Sequence, residues 1–219
     1  MPGQHSPGAL RCISLHQPWA TLPTFINPAT GNPVKMFETR GRPTNIRGRV
    51  GIAATVNTAW CGRRGTRLTI GDYEIERDAS GLLLRSDRLA WPYRLPTGAI
   101  VATATIVNCL PIVERTWPQN VTQDCLSIHA PGDDEYPRML RWTPGQNEAL
   151  NISDQLPYGD YTPGRYAYEL ADVRPVNHRC PACWGAGVIG AVFCQTCKGK
   201  TTCHPVTVTG HQGWWWWTP

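Results

Sequence analysis

The chain has 219 residues, 41% hydrophobic and 9% aromatic, enough to bury one sizeable core or one core plus a small module, which argues against wholesale disorder. It carries 21 basic and 16 acidic residues, a net charge of +5. No apolar run approaches the ~20 residues needed to span a bilayer.

The opening "MPGQHSPGAL" has neither a basic start nor an apolar centre, so residues 1–9 are expected to be a flexible lead-in rather than a signal peptide. "CISLH" alternates like a half-buried strand and then runs into His16, Gln17, Pro18 and Trp19. Pro18 suits the first turn of a helix, which Pro23 would soon cut short. "VKMFETR" alternates again and predicts a strand, with Met36, Glu38 and Arg40 on one face and Lys35, Phe37 and Thr39 on the other. Lys35 can share the face of Glu38 only if that strand bulges or stops short. "RVGIAAT" reads as a mostly buried strand, and "DYEIERDASGLLLRSD" as a hairpin around Ala-Ser-Gly. "AIVATATIVNCLPI" is the strongest strand, long and rich in β-branched residues. A helix is expected near Gln146–Ser153, and strands at "RYAYELADV" and "GWWWWTP".

Twenty prolines and 21 glycines break the chain too often for long helices. The expected fold class is therefore mainly β (α+β): a compact barrel with short peripheral helices.

The +5 surplus is local. Between Gly41 and Arg94 there are ten arginines against five acids. Such an excess suits a polyanion-binding face, although a solvated surface has the same composition.

Four of the nine cysteines form two Cys-x-x-Cys pairs in "CPACWGAGVIGAVFCQTCKGK". Cys180 and Cys183, with Cys194 and Cys197, can place four sulfurs around one ion at ~2.3 Å, and Gly185, Gly187 and Gly199 permit the tight turns. The segment resembles a half-unit of the DnaJ-type cysteine-rich repeat, with Thr201 in place of the last glycine. Cys203, His178 and His204 lie nearby as spare ligands. Paired motifs favour a structural Zn²⁺ over a redox dithiol, and a reducing, cytoplasmic setting. A closed four-ligand site folds its module and does not catalyse.

Read together, "ISLHQPWATL", "VKMFETR" and "RGRVGIAAT" resemble the front end of the ASCH domain, a relative of the PUA fold. The matching residues are His16, Gln17, Pro18, Trp19 and Ala20; Lys35, Glu38 and Arg40; Arg47 and Gly48; and Ile52–Ala54. "GAIVATATIVNCLPI", "YGDYTPGRYAYELADVRPV" and "VTGHQGWWWW" are similar to the later strands of that family. The resemblance implies one PUA-like β-barrel over 10–219, with residues 178–204 as a zinc-knuckle insertion between the last two strands. The stretch from Thr21 to Val34 is longer than the family pattern.

The resemblance also implies a cleft lined by His16, Gln17, Trp19, Lys35, Glu38, Arg40 and Arg47. Trp19 can stack on a base, worth ~1–3 kcal/mol. Gln17 offers a donor and an acceptor to a base edge, and Lys35 and Arg40 can hold a phosphate. Against this, tryptophan is commonly a core residue and a Glu–Arg pair commonly a surface ion pair. In "WWWW", Trp214 and Trp216 should face one way and Trp215 and Trp217 the other, one pair closing the core and the other covered by the insert.

The favoured function is binding of nucleic acid, RNA or single-stranded, or of a modified nucleoside. The first alternative is an amidohydrolase acting on acylated cytidine, with Lys35 and Glu38 as catalytic residues. Glu38 stands where the family's hydrolases have threonine, and Glu114 or Asp124 are the candidates for the later acid. The second alternative is a zinc-stabilised protein-interaction scaffold. The overall combination resembles a mobile-element or bacteriophage gene product.

Overall fold

Alternating, β-branched segments dominate the sequence, and the molecule they form is mainly β. The computed structural model describes residues 8–27, 29–58, 67–78, 81–87, 93–114, 120–129, 137–176, 188–189, 192–193, 208 and 213–218. The strands in chain order are β1 (Leu10–Leu15), β2 (Phe37–Arg40), β3 (Gly48–Ala54), β4 (Arg67–Ile70), β5 (Tyr73–Asp78), β6 (Gly81–Arg85) and β7 (Tyr93–Leu95). They continue with β8 (Ala99–Glu114), β9 (Cys125–His129), β10 (Arg138–Trp142), β11 (Leu150–Asn151), β12 (Tyr166–Pro175), β13 (Val188–Ile189), β14 (Val192–Phe193) and β15 (Trp214–Trp217). Among the described residues, no helix is long and apolar enough to cross a membrane.

The chain divides into two compact units, 1–24 with 49–104 and 173–219, and 25–48 with 105–172. In the first unit β3 pairs with β1 in parallel, and β1 pairs with β15 antiparallel. One face of these strands gathers Cys12, Ala53 and Ile100, packed by Leu10, Val176, Val208, Trp215 and Trp217. Gly51 is required there, because a Cβ on it would lie 2.5 Å from Cys12 Sγ and 3.2 Å from Leu10 Cδ2. The indole of Trp215 donates to Ser14 Oγ at 3.0 Å, satisfying its polar edge. Trp216 points the other way and stays exposed, with the Arg11 guanidinium 4.8 Å from its ring centroid, a cation–π distance. The insert expected to cover this face lies, apart from residues 188–189 and 192–193, outside the described residues.

The expected hairpin is β5–β6, with Asp78 opposite Gly81, inside a four-stranded meander of β4 to β7. Tyr73, Ile75, Leu82 and Leu84 form its buried face by simple alternation. Its outer face pairs Arg67 with Glu74 (3.6 Å) and Glu76 (3.8 Å), and Arg85 with Glu76 (3.0 Å). Part of the arginine surplus read from the sequence is thus neutralised across strands. Between the two cysteine pairs lies the antiparallel β13–β14 ladder, with Val188 opposite Phe193 and Ile189 opposite Val192.

In the second unit β9 lies between β10, antiparallel, and the end of β8, parallel, while β2 pairs antiparallel with β12. Phe37, Leu110, Ile112, Leu126, Met139, Ile152, Tyr161 and Ala167 make its core. Full burial of an aromatic such as Phe37 contributes about 1.5–3 kcal/mol. Arg141 on β10 bridges Asp124 (3.3 Å) and Glu169 on β12, tying two strands through one guanidinium. The helix expected near Gln146–Ser153 is displaced: β11 occupies Leu150–Asn151, and a short 3-10 helix spans Ser153–Tyr158. Asn151 Oδ1 accepts from both Ser153 N (3.0 Å) and Ser153 Oγ (2.6 Å), which starts the turn there, and Pro157 limits its length. After Pro18 the chain makes a hydrogen-bonded turn, Leu22 N to Pro18 O at 2.9 Å, and then a single 3-10 turn at Leu22–Thr24.

Candidate functional site

The predicted cleft residues fall in both units. In the first, His16 Nδ1 is 2.8 Å from Thr55 Oγ1 on the exposed end of β1. Gln17 is buried, and its Nε2 donates to Pro96 O at 2.6 Å. That bond fixes the amide orientation, leaving Gln17 Oε1 as a buried acceptor without a hydrogen-bond partner among the described residues. Four residues on, the buried Thr21 Oγ1 likewise has no hydrogen-bond partner among the described residues. Trp19 is half-buried.

The second unit holds Lys35, Glu38, Arg40 and Arg47, and here the geometry is closely built. Strand β2 begins only at Phe37, so Lys35 precedes the pleat and is released from its alternation. Its ammonium reaches the face of Glu38 and lies 3.1 Å from Glu38 Oε2. The same nitrogen donates to the carbonyls of Phe37 and Tyr158, the latter at 3.0 Å. All three ammonium hydrogens therefore face acceptors, and the side chain is only 1% exposed. Burial pulls the Lys35 pKa below its ordinary value, and the Glu38 carboxylate opposes that shift. The other carboxylate oxygen of Glu38 lies 2.9 Å from Arg40 Nε, completing a row of three alternating charges. Arg40 is 32% exposed, so the row runs from the interior to the surface.

Residues outside the sequence reading position this row. Gln155, fully buried, accepts from Met36 N at 2.7 Å and fixes the chain beside Lys35. Asp160 N donates to Thr39 Oγ1 at 3.0 Å, which brings the 158–161 segment against β2. Gly159 permits that approach, since a Cβ would meet Tyr161 Cε2 at 2.9 Å and Thr39 Cγ2 at 3.1 Å. Tyr161 is buried, its hydroxyl has no hydrogen-bond partner among the described residues, and burial pushes its phenol pKa far up. Tyr168 sits opposite Glu38 in the β2–β12 register. The one available signal for these groups was the tyrosine-rich "YGDYTPGRYAYEL", whose pairing with "FETR" is a long-range fact that local pattern does not carry.

Arg47 spends one amino group within its own loop, donating from Nη1 to Thr44 O (3.0 Å) and Ile46 O (2.9 Å). The two candidate later acids are placed differently: Asp124 is engaged by Arg141 and Asn108, and Glu114 is exposed at the end of β8. Cys180, Cys183, Cys194 and Cys197, with His178, Cys203 and His204, lie outside the described residues. Among the described residues no group of three or more His, Cys, Asp or Glu is arranged to hold a metal. No protein-family model matches the chain, and no curated protein matches it.

Proposed function

We propose that the protein is a nucleic-acid-binding, PUA-like protein of the ASCH type, acting on RNA or single-stranded substrate. The observation that carries this reading is the Lys35–Glu38–Arg40 row. A buried charged row is costly unless fully paired, and such rows concentrate at functional sites. Here it ends in a partly exposed guanidinium, a group suited to phosphate. Lys35 serves in this reading as the inner anchor of Glu38 rather than as a phosphate ligand, because its hydrogens already face three acceptors. The same occupancy weighs against amide hydrolysis through Lys35, since a nucleophilic or basic amine needs a free lone pair and access to substrate.

The zinc module belongs to this proposal as a structural element. The antiparallel β13–β14 ladder, which lies between the two cysteine pairs in the sequence, supports it, because a zinc knuckle of this spacing needs a hairpin there. Zinc bound by Cys180, Cys183, Cys194 and Cys197 would fold the insertion and keep its ends close.

The test is titration of the full chain into labelled single-stranded RNA and DNA oligonucleotides at several salt concentrations. Binding that weakens steeply with salt is expected, as counterion release requires. Absence of binding to either polymer at low salt overturns the reading. In the same preparation, metal analysis should give zinc that is lost in Cys183→Ser, and wild-type chain free of zinc removes the metal proposal.

A further inference from the structure

After β2 the chain runs through "RGRPTNIRG" with no acidic residue between Glu38 and Asp72. Arg42 and Arg47 are exposed, and among the described residues neither makes an ion pair. Exposed arginines usually sit on mobile loops, but this segment is tied down at successive points. Tyr168 OH donates to Arg42 O at 2.7 Å. Thr44 N donates to Cys109 Sγ at 3.4 Å, and Ile46 N to Thr44 Oγ1 at 3.1 Å. Arg47 Nη1 closes the turn on the Thr44 and Ile46 carbonyls. Pro43 fixes its own φ and restricts Arg42 before it.

We infer that Gly41–Arg47 is a pre-ordered phosphate-binding loop that takes the backbone of a single-stranded nucleic acid through Arg42 and Arg47. The inference rests on the nucleic-acid reading above and names the polyanion contact within it. The physical argument is one of cost. Binding ordinarily loses affinity to the ordering of loops and long side chains, and a loop already fixed by its own hydrogen bonds avoids most of that loss. Arg47 retains Nη2 and Nε beyond its internal bonds, and the exposed Arg42 guanidinium offers a planar fork to a phosphate. The two positions are five residues apart, at most about 17 Å even if extended, so one short oligonucleotide can engage both. Arginine contacts of this kind give affinity and position without sequence preference.

The experiment is fluorescence anisotropy of a labelled single-stranded oligonucleotide against the full chain across a salt series. Arg42→Gln and Arg47→Gln should each weaken binding and reduce the slope of log K against log[salt] by about 0.7. Tyr168→Phe removes the donor to Arg42 O but no charge, so it should lower affinity several-fold with the slope unchanged. Arg138→Gln, an equal charge loss on β10, should leave both unchanged. If wild type binds and the two loop variants match it in affinity and slope, the loop assignment is overturned while nucleic-acid binding stands. If wild type itself does not bind, the broader reading falls and the loop assignment with it.

Discussion

The Lys35 ammonium and the Glu38 carboxylate meet at 3.1 Å in a setting where the lysine side chain is 1% exposed and the glutamate 11%. The pair exists because β2 starts two residues after Lys35, which allows the side chain to turn toward Glu38 instead of obeying the strand pleat. Two main-chain carbonyls, of Phe37 and Tyr158, complete the coordination of the nitrogen. The lysine thus joins β2 to the last residue of the 3-10 helix, through three bonds from one ammonium.

Removing that lysine should be severe. Lys35→Met takes the ammonium from the inner oxygen of a largely buried carboxylate, whose outer oxygen Arg40 still holds, and from the Phe37 and Tyr158 carbonyls, a loss expected at about 3 kcal/mol. The double variant Lys35→Met/Glu38→Gln should recover part of it, because the inner oxygen then carries no charge. Urea denaturation of the three proteins reads the effect. A loss below about 1 kcal/mol for the single variant would mean that the pair is solvated.

The same residue sets a pH dependence. Burial holds the folded-state pKa of Lys35 below the ~10.4 of an unfolded lysine. Between those two values the unfolded chain keeps the proton and the folded chain does not. The Lys35 contribution to stability therefore rises with pH across that window and is flat above it. The stability difference between wild type and Lys35→Met, followed by denaturation from neutral pH to about 10.4, should grow in favour of wild type. A constant difference would show that Lys35 titrates like a solvated lysine.

In the first unit the sharpest test is steric. Gly51→Ala places a methyl group 2.5 Å from Cys12 Sγ, and Cys12 is fully buried. Overpacking of this kind costs about 1–3 kcal/mol. Cys12→Ala removes the sulfur, so the pair of changes should be less damaging than the sum of the single ones, with a coupling of about 0.5 kcal/mol or more. Strict additivity in thermal or urea unfolding would mean that β1 and β3 move apart to accommodate the methyl.

Alternation carried much of the strand reading. Ile13, Leu15, Ile75, Leu82 and Leu84 are buried as a period of two requires, and the Asp78–Gly81 hairpin follows from its flanking strands. The three alternating charges of the site were also legible as residues, since the family resemblance singles out Lys35, Glu38 and Arg40. Their roles were not. Whether Lys35 faces a ligand or the chain depends on where β2 begins and on the Tyr158 carbonyl, 123 residues away. Tyr168 reaches β2 through the antiparallel pairing of β12, and Gln155 and Gly159 come to it from the 3-10 helix and the turn after it, contacts with no local signature. The helix expected near Gln146–Ser153 failed for a local reason that composition hides: the Asn151 side chain captures Ser153 and starts the 3-10 turn later.

Tyr161 gives a prediction of opposite sign to that of Lys35. Tyr161 belongs to the core cluster with Phe37, Ile112 and Leu126, its buried hydroxyl has no hydrogen-bond partner among the described residues, and an unsatisfied hydroxyl costs about 1–3 kcal/mol. Tyr161→Phe should therefore leave stability unchanged or raise it by about 1 kcal/mol, against the usual loss on altering a core residue. Burial also holds the folded phenol neutral well above pH ~10, where an unfolded tyrosine ionises. Above that pH the folded chain keeps the proton and the unfolded chain does not, so wild-type stability falls with rising pH. Tyr161→Phe should remove that part of the alkaline loss, seen as a flatter stability profile above pH ~10. A variant less stable than wild type by more than about 1 kcal/mol at neutral pH would show that the hydroxyl does hold a partner in solution.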